Sequence, residues 1–336
     1  MSQLIELVMF TAKGMIIALL ILLVLFMFLM LVAKGKEKIK GKLTIKSLNN
    51  KYDENKEMLL AETMSKKQYK QFLKTRKSEK KADEKKEESV KNIFVLTFLG
   101  DMKASAVCAL SEEITALLNI LTPKDEIVLR LESAGGVVHG YGLAAAQLMR
   151  IRAQKIPLII CIDKIAASGG YLMACVANKI LSAPFAIIGS IGVIVQLPNF
   201  HRLLKDKHID FEMITAGEFK RTITLFGENT KEGREKLHEE IEDVHGLFKN
   251  LITEYRPTIN IDKVATGEHW VGLQALGLDL VDEIKTSEDY LFQQSKKAKI
   301  YEVCYEVKKP MLAKLSASAS LLKEKVIKLF MPQTGL

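Results

Sequence analysis

The sequence lacks most of the patterns that mark metal, redox and nucleotide sites. Its four cysteines, Cys108, Cys161, Cys175 and Cys304, are scattered, and no pair has metal-ligand or redox spacing. Cys161 and Cys175 fall within apolar runs, where a thiol behaves as a small hydrophobe. There is no H-E-x-x-H motif, no phosphate-cradling loop and no ligand cluster, so neither a metal nor a cofactor is expected. No G-x-S-x-G elbow occurs. None of the six histidines stands in a recognisable catalytic context, and His238 and His245 lie two turns apart on a polar stretch. Internal repeats are missing. Arginine, the side chain suited to bidentate phosphate recognition, supplies only eight of the 49 basic residues. The net charge of +9 arises in one place, because residues 34–91 hold nineteen Lys/Arg against ten Asp/Glu. The remainder is neutral and has no basic stripe with interleaved aromatics, which excludes a nucleic-acid partner.

What is present is hydrophobic. At 336 residues and 48% hydrophobic content the chain can bury a sizeable core. Residues 14–33, GMIIALLILLVLFMFLMLVA, form an uncharged apolar run of the length that ~30 Å of hydrocarbon requires. The run predicts a transmembrane helix in contact with a lipid bilayer. A cleaved signal peptide would have a shorter apolar region ending in small residues, whereas Lys34, Lys36 and Lys38 follow here, so an uncleaved anchor is expected. Those lysines, against Lys13 alone before the run, would place the bulk of the chain in the cytoplasm. From 34 to 89 the chain is charged, with KKADEKKEES at its centre, and reads as a solvated linker, helical or disordered.

Beyond Val90 short apolar runs alternate with amphipathic stretches: NIFVLTFL, EIVLRLES, PLIICID and SIGVIVQL, with helical segments between most of them. Strands alternating with helices predict an α/β domain. One helix is expected over about 138–153. Another begins at Ser168-Gly169-Gly170 and carries YLMACVANKI, and a long polar-faced helix runs from about 231 to 255, ahead of Pro257. Residues 312–331 form an amphipathic stretch expected to dock on the core, with a membrane-surface role as the alternative.

Two glycine-rich turns each follow an apolar run, SAGG at 133–136 and ASGG at 167–170. Glycine at a strand-to-helix turn lets a substrate backbone approach exposed N–H groups, and a pair of such turns can form an oxyanion hole, although most such turns are purely structural. Ser168 opens a helix. A serine there is ordinarily an N-cap, but the same position also mounts serine nucleophiles beside a backbone N–H. With no histidine in a recognisable catalytic context, a lysine is the other option for the base, since an amine held among apolar groups gives up its charge and can accept a hydroxyl proton. Lys220, in TAGEFKRTITLFGENT, has Phe219, Ile223, Leu225 and Phe226 around it, but spacing alone does not single it out among 41 lysines.

The segments RLESAGGVVHGYGLA, DKIAASGGYLMACVANKI, SAPFAIIGSIGVIVQLPNF, TAGEFKRTITLFGENT and VATGEHWVGLQALGLDLVDEI, in that order, closely resemble the signal peptide peptidase A family through most of residues 90–290. The resemblance implies a crotonase/ClpP-like ββα superhelix, with Ser168 as nucleophile and Lys220 as general base. It also implies an oxyanion hole from Gly135, Gly136 and Gly169. Ser190, in GSIGV, resembles the serine that the family places beside the lysine; a serine satisfying backbone in a turn is the alternative. Ala134 stands where the family usually has proline, a change that removes no donor. The implied organisation is an anchor at 1–33, the linker at 34–89, a serine peptidase domain at 90–300 and a tail at 301–336. The implied activity is hydrolysis of peptide bonds in signal peptides or unfolded envelope proteins by a homo-oligomeric ring at the bacterial inner membrane, with the catalytic domain on the periplasmic side. A catalytically idle scaffold of the same fold is the alternative, and an acyl-CoA hydratase-like activity ranks last.

Overall fold

The structure, a computed structural model, describes residues 14–15, 19–23, 25–26, 41–83 and 91–306. The few described residues of the apolar run 14–33 are helical, the rest of that run lies outside the described residues, and among the described residues no helix is long and apolar enough to cross a membrane. The amphipathic stretch 312–331 also lies outside them. The chain divides into two compact units, one of residues 1–42 and 306–336 and one of residues 43–305. The second carries the α/β architecture.

Among the described residues ten strands form two sheets. The larger has seven strands in the order β1-β10-β2-β3-β4-β6-β9, namely β1 (Lys42–Ser47), β10 (Lys299–Glu306), β2 (Asn92–Leu99), β3 (Glu126–Glu132), β4 (Leu158–Ile162), β6 (Lys179–Ser182) and β9 (Glu283–Ile284). From β10 to β9 every neighbouring pair is parallel. The smaller sheet is β5 (Ile165–Ala167), β7 (Ile187–Gly189) and β8 (His269–Val271). The pairs β4–β5 and β6–β7 each place their first strand in the large sheet and their second in the small one.

Parallel strands covered on both faces read as continuous apolar runs, and LIICI in β4 is buried at every position. Alternate residues serve alternate faces. Phe94, Leu96, Phe98, Ile127, Leu129, Leu158 and Ile160 join the main core, which α3 (Val107–Leu118) and α4 (Val138–Ala153) cover. Ile93, Val95, Val128, Ile159 and Leu181 face the other side, where Leu48 of α1 (Leu48–Thr63) and Tyr290 and Leu291 of α10 (Ser287–Gln294) close a second core. The charged segment read as a linker thus contributes β1 at the sheet edge and α1 and α2 (Lys66–Asp83). Burial pushes the Cys175 thiol up to about 12, and Cys161 is likewise raised, as expected of thiols serving as small core hydrophobes.

Two local expectations fail. SIGVIVQL is not a strand: β7 ends at Gly189, where the positive φ of Gly189 and then of Ser190, 103° and 52°, turns the chain away from the extended course, and Ile194 beyond them is 82% exposed. The helix after Ser168 is α5 (Gly169–Ala174), shorter than YLMACVANKI. Asn178 there exchanges hydrogen bonds with Leu158, through its side chain at 2.9 Å and its N–H at 2.9 Å, and leads into β6 instead.

Candidate active site

The two glycine turns meet at one end of the small sheet. Ser133, just past β3, bridges Ala166 of β5 in parallel. Its N–H donates to the Ile165 carbonyl at 2.9 Å, and its carbonyl accepts from Ala167 N–H at 3.0 Å. This lays the 133–136 turn against the 167–170 turn. Gly135, at φ 89°, is pressed so closely on the second turn that a Cβ there would lie 2.8 Å from the Ser168 Cβ and 2.7 Å from the Gly169 nitrogen. The register that pairs Ala167 with Gly189 carries on to place Ser168 beside Ser190, and Ser168 N–H donates to the Gly189 carbonyl at 2.8 Å. Ser168, Gly135, Gly136, Gly169 and Ser190 are therefore gathered in one place.

Ser168 has φ 52° and ψ −120°, and its side chain makes no capping bond to α5. The ordinary N-cap explanation for a serine at a helix start therefore fails. A non-glycine residue held in this region costs on the order of 1–3 kcal/mol, which surrounding structure has to sustain. The strained strand-to-helix turn that results is how serine nucleophiles are presented. Gly169, as the first residue of α5, has one of the orphan N–H groups of a helix start. Gly136 N–H has no acceptor among the described residues, while Gly135 N–H is committed to Ser133 Oγ at 3.0 Å. Of the three expected donors, two are open and one is spent within the turn.

Beside Ser168, Gly136 and Gly169 lies an apolar cavity of about 340 Å³. Its walls are Val138 and Gly142 of α4, Leu172 of α5, Val193 and Ile194 of the segment after β7, and Val244, Leu247, Phe248 and Leu251 of α7 (Lys231–Tyr255). Thr230 caps α7 by accepting from Gly233 N–H at 3.0 Å, and Phe248 and Ile252 bury its C-terminal half in the core. That docking sets the Val244–Leu251 face over the cavity. The sequence shows α7 as a polar-faced helix but not what its apolar stripe covers.

Lys220 is not brought to this place. It is exposed, in an irregular segment between α6 (His201–Asp206) and α7; its N–H donates to the Gly217 carbonyl at 3.2 Å, and it does not line the cavity. Large apolar neighbours in that segment are uncovered: Ile214 is 96% exposed, and Phe219, Leu225 and Phe226 are also exposed. Sequence reasoning missed two further residues at the site, Ser133 and Tyr141, whose hydroxyls lie 2.5 Å apart behind the first glycine turn.

Comparison with known proteins shows the family. Residues 2–148 match the model of the peptidase family S49 N-terminal region, and residues 150–301 match that of peptidase family S49. The chain is 47% identical over 291 residues to the probable protease SohB of Haemophilus influenzae, covering 83% of this chain and 82% of the relative. It is 48% identical over 275 residues to the probable protease SohB of Buchnera aphidicola subsp. Schlechtendalia chinensis, covering 78% and 90%. Among solved structures, a mutant of the 1510-N membrane-bound stomatin-specific protease in complex with a substrate peptide overlaps 68% of this chain and 99% of its own at 14% identity and a TM-score of 0.45, too loose an overlap to bear on function. On the family matches and relatives, the chain belongs to peptidase family S49 and is a serine peptidase.

Proposed function

We propose that this peptidase is a membrane-anchored endopeptidase that works through a Ser168–Lys220 dyad and an acyl-enzyme. The observation that carries the reading is the pose of Ser168: a strained, uncapped serine between two open backbone donors at the wall of an apolar cavity. Lys220, as the neutral amine, takes the Oγ proton while Oγ bonds to the substrate carbonyl carbon. Gly136 and Gly169 N–H groups hold the resulting oxyanion, with Gly135 fixing the turn between them. The C–N bond then breaks, the amine leaves with a proton returned from Lys220, and water attacks the ester to free Ser168. Ser190, which follows the Gly189 whose carbonyl Ser168 N–H bonds, accepts from the incoming amine in this reading, as the family resemblance implies.

The dyad needs Lys220 to reach Ser168, and the exposed apolar residues around Lys220 say what drives this. A surface with Ile214, Phe219, Leu225 and Phe226 uncovered is the kind that protein association buries. A homo-oligomeric ring, the assembly implied by the family resemblance, covers that segment and delivers the lysine, and an amine taken out of water favours its neutral form. The anchor at residues 14–33, the crotonase/ClpP-like ββα superhelix and a periplasmic placement at the inner membrane complete the reading. They rest on the apolar run and on the family resemblance. Substrates are apolar segments such as signal peptides or unfolded envelope proteins, which suits a cavity lined by valine, leucine and phenylalanine. The test is cleavage of a denatured protein by the detergent-solubilised full chain, comparing wild type with Ser168→Ala and Lys220→Ala. Both variants should be folded and lose activity by three or more orders of magnitude, on the order of other triad deletions. A Lys220→Ala enzyme cleaving at the wild-type rate would remove the dyad.

A further inference from the structure

Behind the first glycine turn runs a chain of hydrogen bonds whose directions are fixed by counting protons. Tyr141 Oη lies 2.8 Å from the Asp101 carbonyl, which only accepts, so the single phenol proton goes there. Ser133 Oγ, 2.5 Å from the same phenol oxygen, must then donate to it. That leaves the Ser133 oxygen to accept from Gly135 N–H at 3.0 Å. The order is Gly135 N–H to Ser133, Ser133 O–H to Tyr141, Tyr141 O–H to Asp101, with no proton left over. Tyr141 is 0% and Ser133 1% exposed, so water cannot take the place of either hydroxyl.

Two further contacts tie this chain to both donors. The Tyr141 ring packs on Gly169, and a Cβ at Gly169 would collide with it. On the far side, the Asp101 carboxylate accepts from Lys103 N–H, Ser105 N–H and Ser105 Oγ and so rigidifies the turn that it opens; the Met102 carbonyl of that turn accepts from Val137 N–H at 2.9 Å and presses on Gly136. One phenol thus contacts Gly169 through its ring and sets the Gly135–Gly136 turn through its hydroxyl.

We propose that Tyr141, acting through Ser133, is a positioning residue that fixes the spacing of the two oxyanion donors, Gly136 and Gly169; this rests on the reading of Ser168 as nucleophile. If Tyr141 were only core filling, phenylalanine would replace it without effect on chemistry. Because the chain directs a transition-state interaction, its loss should lower kcat and leave KM alone.

The test uses the full chain in detergent and a fluorogenic peptide, with a peptide aldehyde of the same sequence as probe of the oxyanion site. Tyr141→Phe and Ser133→Ala should each lower kcat roughly 10- to 100-fold, up to the loss of one oxyanion donor, and raise the aldehyde inhibition constant by the same factor. KM should stay within about twofold, and the double variant should be no worse than the worse single one, as members of one unit behave. If Tyr141→Phe does not fold, judged by thermal melting, Ser133→Ala carries the test alone. A folded variant with wild-type kcat and aldehyde affinity overturns the proposal, and so does a double variant whose losses add. Ser168→Ala run alongside separates the two levels: if it is inert while Tyr141→Phe is fully active, only the positioning role falls, whereas an active Ser168→Ala removes both.

Discussion

Gly142 gives the cavity beside Ser168 a quantitative test. It lies on α4, lines the cavity, and a Cβ built on it meets nothing within 4 Å. A leucine there projects its side chain into space that the proposal reserves for an apolar substrate residue. Burying one large apolar side chain is worth about 2–3 kcal/mol, so denying it should reduce kcat/KM by about 30- to 150-fold. A substrate that places alanine at that position has little to lose, and its kcat/KM should change by less than about threefold. The helix itself should gain, since glycine in a helix interior costs about 1 kcal/mol relative to better helix formers. The assay is competition between two fluorogenic peptides that differ only in leucine or alanine before the scissile bond, with thermal melting in parallel. An equal loss on both peptides, or none on either, would show that this cavity does not receive the substrate side chain.

Two other expectations concern stability. Arg256 makes a bidentate pair with Asp282 at 2.8 Å on both arms and donates to the Asp279 carbonyl at 2.9 Å, while Asp282 also accepts from Ile180 N–H. Arg256→Ala should therefore cost about 3 kcal/mol or more in a chemical-denaturation measurement, because a partly buried carboxylate loses its partner. Asp125 is pushed up by burial, but hydrogen bonds from Thr122 and Asn92 outweigh it and hold its carboxyl below the usual carboxylate range. A depressed folded-state value means that its contribution is present above the unfolded carboxylate range and is lost as pH falls through the folded value. Asp125→Ala should cost about 2 kcal/mol at pH 7 and flatten the acid limb of a melting-temperature profile taken from pH 6 to pH 2. An acid limb as steep as that of wild type would contradict the assignment.

The legibility of this chain follows the range of its interactions. NIFVLTFL, EIVLRLE and LIICI could be read as strands because a parallel sheet buried on both faces leaves an uninterrupted apolar run. The bounds of α4 and α7 were readable because each has a local stop and start, Gly135-Gly136 before one and Pro257 after the other. SIGVIVQL misled because its apolar content matches a strand, whereas the chain turns at Gly189 and Ser190, both at positive φ, where Gly189 lies against Trp270 and Ser190 N–H donates to the Glu268 carbonyl, both far along the chain. Tyr141 carried no signal, and Ser133 none beyond opening the SAGG turn, since the chain they form ends on Asp101, which is 40 residues from Tyr141. Lys220 shows the opposite case, a residue suggested by resemblance whose place beside Ser168 the folded chain alone does not supply.

The most direct measurement of the central claim is to treat the full-length enzyme with a fluorophosphonate probe and map the modified residue by peptide mass spectrometry. The account predicts one label, on Ser168, absent from Ser168→Ala and strongly slowed in Lys220→Ala, whose serine has lost its base. Labelling on another serine, or a label-free Ser168→Ala enzyme that still cleaves at the wild-type rate, would contradict it.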